Sequence, residues 1–355
     1  MIRVIRESLH SRMIMELPIH QVLHHFAIDA PISIDRVGTG HINKTFKVTT
    51  TDRSYILQQI NRKVFVKPGV IESNLAYTGE YLSKNHPDYL FISPILTKNG
   101  RGLAYVDDEP WRLYPYIENT FTVDDVQSVD HAYEAARSFG RFGKFMKGCD
   151  LSRFRPTIER FHDLALRYDQ FESALANANE ETKTIAAEEI RQAIGLEKFV
   201  EQYNSVIASG TLVRGIFHND TKINNILFDR GTNKAIAVID LDTVMEGYFI
   251  YDLGDLVRTL VSPVSEEEKD ADKIVVRTEF YNAVIDGYLS EMGDAISKEE
   301  RSLASFAGIM MTYIMGLRFL ADFLRGNTYY HISYPDQNLV RAKNQLRLTE
   351  ILSRK

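Results

Sequence analysis

The chain is predicted to be α+β and two-lobed, with a small amino-terminal lobe on an antiparallel sheet and a larger, mainly helical lobe after it. Three observations predict this. Short strand-like apolar runs bounded by turn residues recur between Ile42 and Ile117. From Thr122 onward the apolar residues recur at helical spacing. The chain has 355 residues, 44% hydrophobic and 25% charged, which is ordinary for a globular protein and long enough for two lobes. A polar break after Ile117 divides these into residues 1–117 and 118–355.

Residues 1–30 read as helical, with Leu17, Val22, Leu23 and Phe26 on one stripe, and Met13 and Met15 leave the true start open. Gly38 and Gly40 form a turn before an alternating strand, Ile42, Phe46, Val48. Glycines there let backbone N–H groups approach a phosphate, and an ordinary hairpin turn uses the same residues. A second strand follows at Ser54–Ile60, then a helix over 70–84 with Ile71, Leu75 and Leu82 inward and Glu72 and Glu80 as solvated charges. Leu103–Val106 and Trp111–Ile117 are two further strands.

The second lobe opens with an apolar-faced helix over 132–146, whose glycines permit close packing. Phe154–Phe171 continues the helical pattern, with His162 as a surface or packed histidine. Residues 172–208 read as exposed helices, and 266–294, 298–325 and 336–353 as the closing ones. Phe306–Leu317 is about half a membrane span and stops at Arg318, so it reads as a buried helix.

Composition narrows the function. A net charge of −6 argues against a general nucleic-acid binder. The one cysteine, Cys149, has no partner for a disulfide and no zinc-type cluster, which suits a reducing cytoplasm. The amino terminus is a poor signal peptide, because charged residues interrupt it throughout. No membrane or nucleic-acid partner is expected.

The chemistry lies in His218-Asn219-Asp220-Thr221-Lys222-Ile223-Asn224-Asn225, which sits between two apolar runs, and in Ile239-Asp240-Leu241-Asp242, which ends a third. Asp and Asn are common in polar turns. Here, however, His-x-Asp, an Asn five places after Asp220 and an Asp twenty places after it have the spacing of a kinase catalytic and metal-holding pair of loops. Asp220 then receives or aligns the acceptor hydroxyl, while Asn225 and Asp240 hold Mg²⁺, a hard cation that takes oxygen ligands. Asp242 is a neighbouring group or a further metal contact. Asp252 and Asp255 read as caps of a helix N-terminus that brace the catalytic loop. Where a kinase strand carries a phosphate-bridging Lys, this chain has Gln58 and Gln59, neither of which supplies a positive charge.

These stretches, with Gly40-His41-Ile42-Asn43, Tyr55–Asn61, Arg318–Asp322 and Asn338–Ala342, resemble the phosphotransferase family that includes the aminoglycoside kinases, most closely its N-acetylhexosamine 1-kinases. The resemblance runs from about residue 35 to the C-terminus. It implies a two-lobed protein-kinase-like fold, ATP as co-substrate, Mg²⁺ as cofactor, and transfer of the γ-phosphate to the anomeric hydroxyl of an amino sugar. The Gln in place of the strand Lys resembles that group as well.

The nucleotide-side candidates are Gly38, Gly40, Asn43 and Gln58, together with backbone groups at Tyr114, Tyr116 and Ile117. Lys222 either reaches the transferred phosphate or is a surface lysine. The acceptor-side candidates are His41, Asn224, Arg318, Asp322 and Tyr329. Two alternatives stay open: a kinase of another small alcohol (an aminoglycoside, choline, homoserine or another sugar), and a non-catalytic nucleotide-binding regulator.

Overall fold

The computed structural model describes residues 18–37 and 42–355, so Leu17, Gly38, Gly40 and His41 lie outside the described residues. The expected α+β class is observed, and the chain forms two compact units. The first holds the described residues up to Phe121 together with Asp150–Glu159 and Leu227–Met245; the second holds Thr122–Cys149, Arg160–Ile226 and Glu246–Lys355. The division is therefore discontinuous in sequence, whereas composition alone suggested a single cut after Ile117.

The first unit is built on five antiparallel strands, β1 (Ser33–Arg36), β2 (Lys44–Thr49), β3 (Ser54–Gln59), β4 (Ala104–Val106) and β5 (Glu109–Pro115), in the order β1-β2-β3-β5-β4. Its register sets Phe46 opposite Leu57 and Leu57 opposite Leu113. Because side chains alternate faces along a strand, these residues fall on one side of the sheet. There they pack with Val22, Phe26, Val48 and Trp111 into a core that residues 18–23, a short helix, help to cover. The next row, Thr45–Gln58–Arg112, falls on the other side.

Helix Pro68–Asn85 ties the separate segments of this unit together. Its buried Asn74 donates to the carbonyls of Arg155 (2.8 Å) and Val244 (3.0 Å) and accepts from the Arg155 N–H (3.2 Å). Glu72 on the same helix is not merely solvated: it pairs with Arg101 at 2.8 Å and accepts from the Gly102 N–H. A small sheet of Thr120–Phe121, Ile226–Asp229 and Ala235–Val238 delivers the chain to Asp240.

The second unit is helical. Helix Val129–Phe145 starts at Ser128, whose hydroxyl accepts from the His131 N–H, and packs along Thr278–Met292. Gly140 makes that approach possible, since a Cβ there would lie 2.6 Å from the Tyr288 carbonyl oxygen. Helix Ala304–Leu324 runs through the core against Phe249–Leu260, Leu164–Asn177 and Gln337–Ser353. Among the described residues it is the one helix apolar and long enough to cross a membrane, yet 78% of its most apolar window is buried inside the protein. The three short helices Glu180–Ile185, Ala187–Gly195 and Lys198–Ala208 are less exposed than their composition suggested, with Ile190, Phe199 and Tyr203 buried.

Two expected helices are shorter than their patterns. Residues 266–277 precede the helix at Thr278, and within them Glu266 pairs with Arg258 and Glu267 with Arg341. The segment before Leu164 is also irregular, with Arg160 at φ +48° and Asp163 capping the helix.

Gly254 sits where Phe249–Leu260 crosses Ala304–Leu324, and a Cβ there would lie 2.4 Å from the Ala307 carbonyl oxygen. Gly254→Ala is therefore expected to destabilise the fold by about 1–3 kcal/mol. Gly195→Ala, which would meet nothing within 4 Å, is expected to leave stability unchanged or raise it by up to about 1 kcal/mol. Chemical denaturation of both variants checks the opposite signs.

Candidate active site

The His218–Asn225 loop follows strand Gly215–Phe217 and is shaped by groups it does not itself contain. Helix Phe249–Leu260 carries Asp252 and Asp255, both buried. Asp252 accepts from the N–H groups of His218 (3.2 Å) and Asn219 (2.7 Å), and its own carbonyl accepts the Thr221 hydroxyl (2.7 Å). Asp255 accepts from the Thr221 N–H (2.9 Å) and from Arg258 (2.8 Å). The two acids brace the loop as expected, but not by capping their own helix. Tyr248 stands at the N-cap without a side-chain cap bond, and the carboxylates are spent on the loop. Burial pushes the Asp252 carboxyl up to about 7, against the pull of the two loop N–H groups.

The loop is pinned from other directions too. His218 is fully buried, edge-on to Phe139 at 5.0 Å, and its Nδ1 accepts the Asp220 N–H (3.3 Å). Asn219 adopts φ +63°, a left-handed conformation uncommon outside glycine that Asn takes more readily than most residues. Its side chain donates to the Phe217 carbonyl at 3.0 Å, and a Cβ on Gly247 would come within 2.9 Å of its Oδ1. His162 donates Nε2–H to the Asn219 carbonyl at 2.8 Å. The packed reading of His162 holds, and the bond to the loop is what sequence missed.

Asp220 is therefore presented on a rigid turn. Burial alone would push its carboxyl up, but Lys222, with Nζ 3.1 Å from Oδ1, His218 and Arg258 outweigh this and hold it below the usual carboxylate range. Asp220 in turn raises Lys222. Lys222 is thus the partner of Asp220, not an isolated surface lysine. Asn225 ends the 3-10 turn Ile223–Asn225 and donates Nδ2 to the Asp220 carbonyl (2.9 Å) and carboxylate (3.3 Å). That commits its NH₂ and leaves the amide oxygen as the end with capacity for a hard cation. Asn224 carries a buried Oδ1 without a hydrogen-bond partner.

In the first unit, Asp240 follows Ala235–Val238 at φ +58° and opens the 3-10 turn Leu241–Thr243. Asp242 in that turn is buried and takes a short ion pair from Arg112 and a 2.8 Å bond from Asn43 Nδ2. Asn43 Oδ1 accepts the Asn61 N–H at 3.1 Å. Gln58 accepts from Arg112 Nε (3.0 Å) and Nη2 (2.9 Å) and donates to Thr45 at 3.2 Å. Asn43 and Gln58 are thus held within a polar network, and Asp242 is a partner of Arg112. The end of β5 and the residues after it are also partly spent: the Tyr116 N–H goes to the Ser54 carbonyl and the Ile117 carbonyl accepts from Thr120, while burial pushes the phenol of Tyr114, within β5, up.

Among the described residues no group of three or more His, Cys, Asp or Glu side chains is placed to hold a metal ion. Mg²⁺ beside phosphates needs only one or two protein carboxylates or amides, with phosphate and water oxygens supplying the rest, and Asp240 and Asn225 are of that type.

Arg318 on Ala304–Leu324 lies over three rings, 5.3 Å from Phe161, 5.5 Å from Tyr330 and 6.0 Å from Tyr329. Arg167 is brought down to about 10 by burial and by Arg318. Asp322 is buried and accepts from the N–H groups of Thr328 (3.0 Å), Tyr329 (2.8 Å) and Tyr330 (3.0 Å) and from Asn338 (2.9 Å). Its carboxylate is committed to holding the loop that carries the exposed Tyr329.

Residues 33–288 match the model of a phosphotransferase enzyme family. Among solved structures, the chain is similar to a microcompartment-associated aminopropanol kinase, at 16% identity and a TM-score of 0.60, over 95% of this chain and 96% of that one. It is also similar to an aminoglycoside phosphotransferase from Alicyclobacillus acidocaldarius, at 11% identity and 0.63, over 94% and 95% of the two chains. A spectinomycin phosphotransferase solved with ADP and spectinomycin matches at 13% identity and 0.58, over 96% and 98%. At such identities the likeness is one of fold, and it agrees with the two-lobed kinase-like architecture.

Burial lowers the His162 imidazole to about 4, against 6.5 when exposed. As pH falls below 6.5 the unfolded chain gains a proton that the native state refuses until about 4, so stability is lost across that window, by up to about 1.4 kcal/mol per pH unit. Asp252 acts in the opposite sense, staying protonated in the native state below about 7. His162→Gln removes the first effect and leaves the second. The stability difference between wild type and variant should shrink as pH falls from 7 to 4, measured by denaturant unfolding. A pH-independent difference contradicts the assignment.

Proposed function

The chain belongs to the phosphotransferase enzyme family, and we propose that it is an ATP- and Mg²⁺-dependent kinase of the anomeric C1 hydroxyl of an N-acetylhexosamine such as GlcNAc or GalNAc. The observation that carries the phosphotransfer reading is Asp220, kept ionised by Lys222 on a loop whose backbone N–H groups end on buried carboxylates. A carboxylate so fixed aligns a hydroxyl for in-line attack on the γ-phosphorus.

The acceptor O1–P bond forms as the bond from the γ-phosphorus to the β,γ-bridging oxygen breaks, and the hydroxyl proton passes to Asp220 or solvent. A carboxylate held below its usual range is a weak base for an alcohol. In a loose transition state the proton moves late, so alignment counts for more than basicity. An anomeric hydroxyl, more acidic than an ordinary alcohol, lowers the demand further. Mg²⁺, when bound, would neutralise charge on the phosphates, and the Asn225 amide oxygen and the Asp240 carboxylate are each proposed as a ligand to it. Lys222 orients Asp220, and its ammonium is available to the transferred phosphoryl group.

Arg318 and Arg167 support a neutral acceptor. Two guanidinium groups beside Phe161 and Tyr330 disfavour a cationic alcohol such as choline, aminopropanol or an aminoglycoside. A sugar offers hydroxyl and amide oxygens as acceptors for Arg318 and an apolar face for the rings, while Arg167 is bonded to Gln170 and to the carbonyls of Arg160 and Phe161 and contributes charge alone. ATP use and a buried thiol, Cys149, suit a cytoplasmic setting.

The test is to incubate the protein with Mg-ATP and GlcNAc, GalNAc, choline, aminopropanol or kanamycin, following ADP release and phosphorus NMR of the product. The expected result is turnover of an N-acetylhexosamine with an anomeric phosphate; preferred turnover of a cationic alcohol contradicts the sugar reading. Asp220→Asn is expected to cut kcat by about 10²–10⁴-fold with ATP affinity nearly unchanged, and a variant keeping most of its turnover removes the proposed role.

A further inference from the structure

The strand lysine that a kinase uses to bridge phosphates is absent, and β3 offers Gln58 instead. The cation comes from the next strand. Arg112 on β5 lies directly opposite Gln58 in the sheet register and is 1% exposed. Its Nε and Nη2 edge grips Gln58 Oε1 at 3.0 and 2.9 Å, and its Nη1 pairs with Asp242, two residues beyond Asp240. With both edges occupied and no exposed surface, this guanidinium does not reach a nucleotide phosphate. What it does reach is the turn that carries Asp240.

We propose that Arg112 is a positioning residue that replaces the strand lysine indirectly, by clamping Asp242 and thereby setting Asp240 as the metal-holding carboxylate. This rests on the phosphotransferase reading above. Three features of the turn support it. Asp240 holds φ +58°, a conformation uncommon outside glycine, although Asp adopts it more readily than most residues. Its neighbour Asp242 is fixed, with Arg112 on Oδ1 and Asn43 on Oδ2. Arg112 also balances the charge of Asp242, two residues from Asp240.

The forked geometry matters, because a guanidinium can bond Gln58 and Asp242 together where an ammonium acts as a point charge. The strand register carries the device: Thr45, Gln58 and Arg112 form one row across β2, β3 and β5. Groups that orient a metal ligand, without touching the metal, typically contribute about 10–100-fold to metal affinity.

The experiment measures Mn²⁺ binding in the presence of ADP by electron paramagnetic resonance, alongside steady-state kinetics, for wild type, Arg112→Lys and Arg112→Met. The expected result is Mn²⁺ binding weakened by about tenfold or more in Arg112→Met, a smaller loss in Arg112→Lys, and an acceptor KM that changes little in either. Arg112→Lys keeps the buried charge balanced, so it carries the test if Arg112→Met fails to fold. Folded variants with wild-type Mn²⁺ affinity, or a loss confined to acceptor KM, overturn the proposal. Wild type that binds no Mn²⁺ with ADP overturns the kinase reading itself, a result distinct from the other two.

Discussion

Two carboxylates buried in one helix set the terms for the rest of the second unit. Helix Phe249–Leu260 is covered along almost its whole length, and Gly254 lets it press on the backbone of Ala304–Leu324. Acids cannot be left bare in such a place, since an unpaired buried charge costs several kcal/mol. Asp252 and Asp255 meet that requirement with the N–H groups of His218, Asn219 and Thr221 and with Arg258. The consequence is functional as well as structural: the carboxylates remain satisfied only while the loop keeps one shape, and that shape presents Asp220.

The first unit solves a related problem in its own way. Asp242 is buried beside Asp240, and the balancing charge comes from a strand far away in sequence. In both units a buried acid is bonded within or next to the turn that carries a further carboxylate, Asp220 in one and Asp240 in the other. Polar groups of this kind contribute less to net stability than to specifying one arrangement, because each bond also replaces one that water would have made.

The residues proposed to do the chemistry could be picked out in the sequence, because Asp220, Asn225 and Asp240 are marked by local spacing between apolar runs. The bracing by Asp252 and Asp255 was legible as an idea, but its direction was not: a cap on the acids' own helix and a bond to a loop more than thirty residues away look identical in one dimension. Gln58 was visible as a departure, yet its compensation by Arg112 was hidden, since only the antiparallel register brings residues 54 apart into contact. His162 shows the same limit, its bond to Asn219 being set by packing and not by any pattern. Helical periodicity overreached at 266–277, where Glu266 and Glu267 pair with arginines elsewhere in the unit.

The most direct measurement of the central claim is residue-resolved amide hydrogen exchange across His218–Thr221. If buried acids lock the loop, the N–H groups of Asn219 and Thr221 exchange as slowly as core helix amides, and Asp252→Asn accelerates Asn219 far more than residues in Thr278–Met292. Rapid exchange of Asn219 and Thr221 in the wild-type protein, at the rate of an open loop, contradicts it.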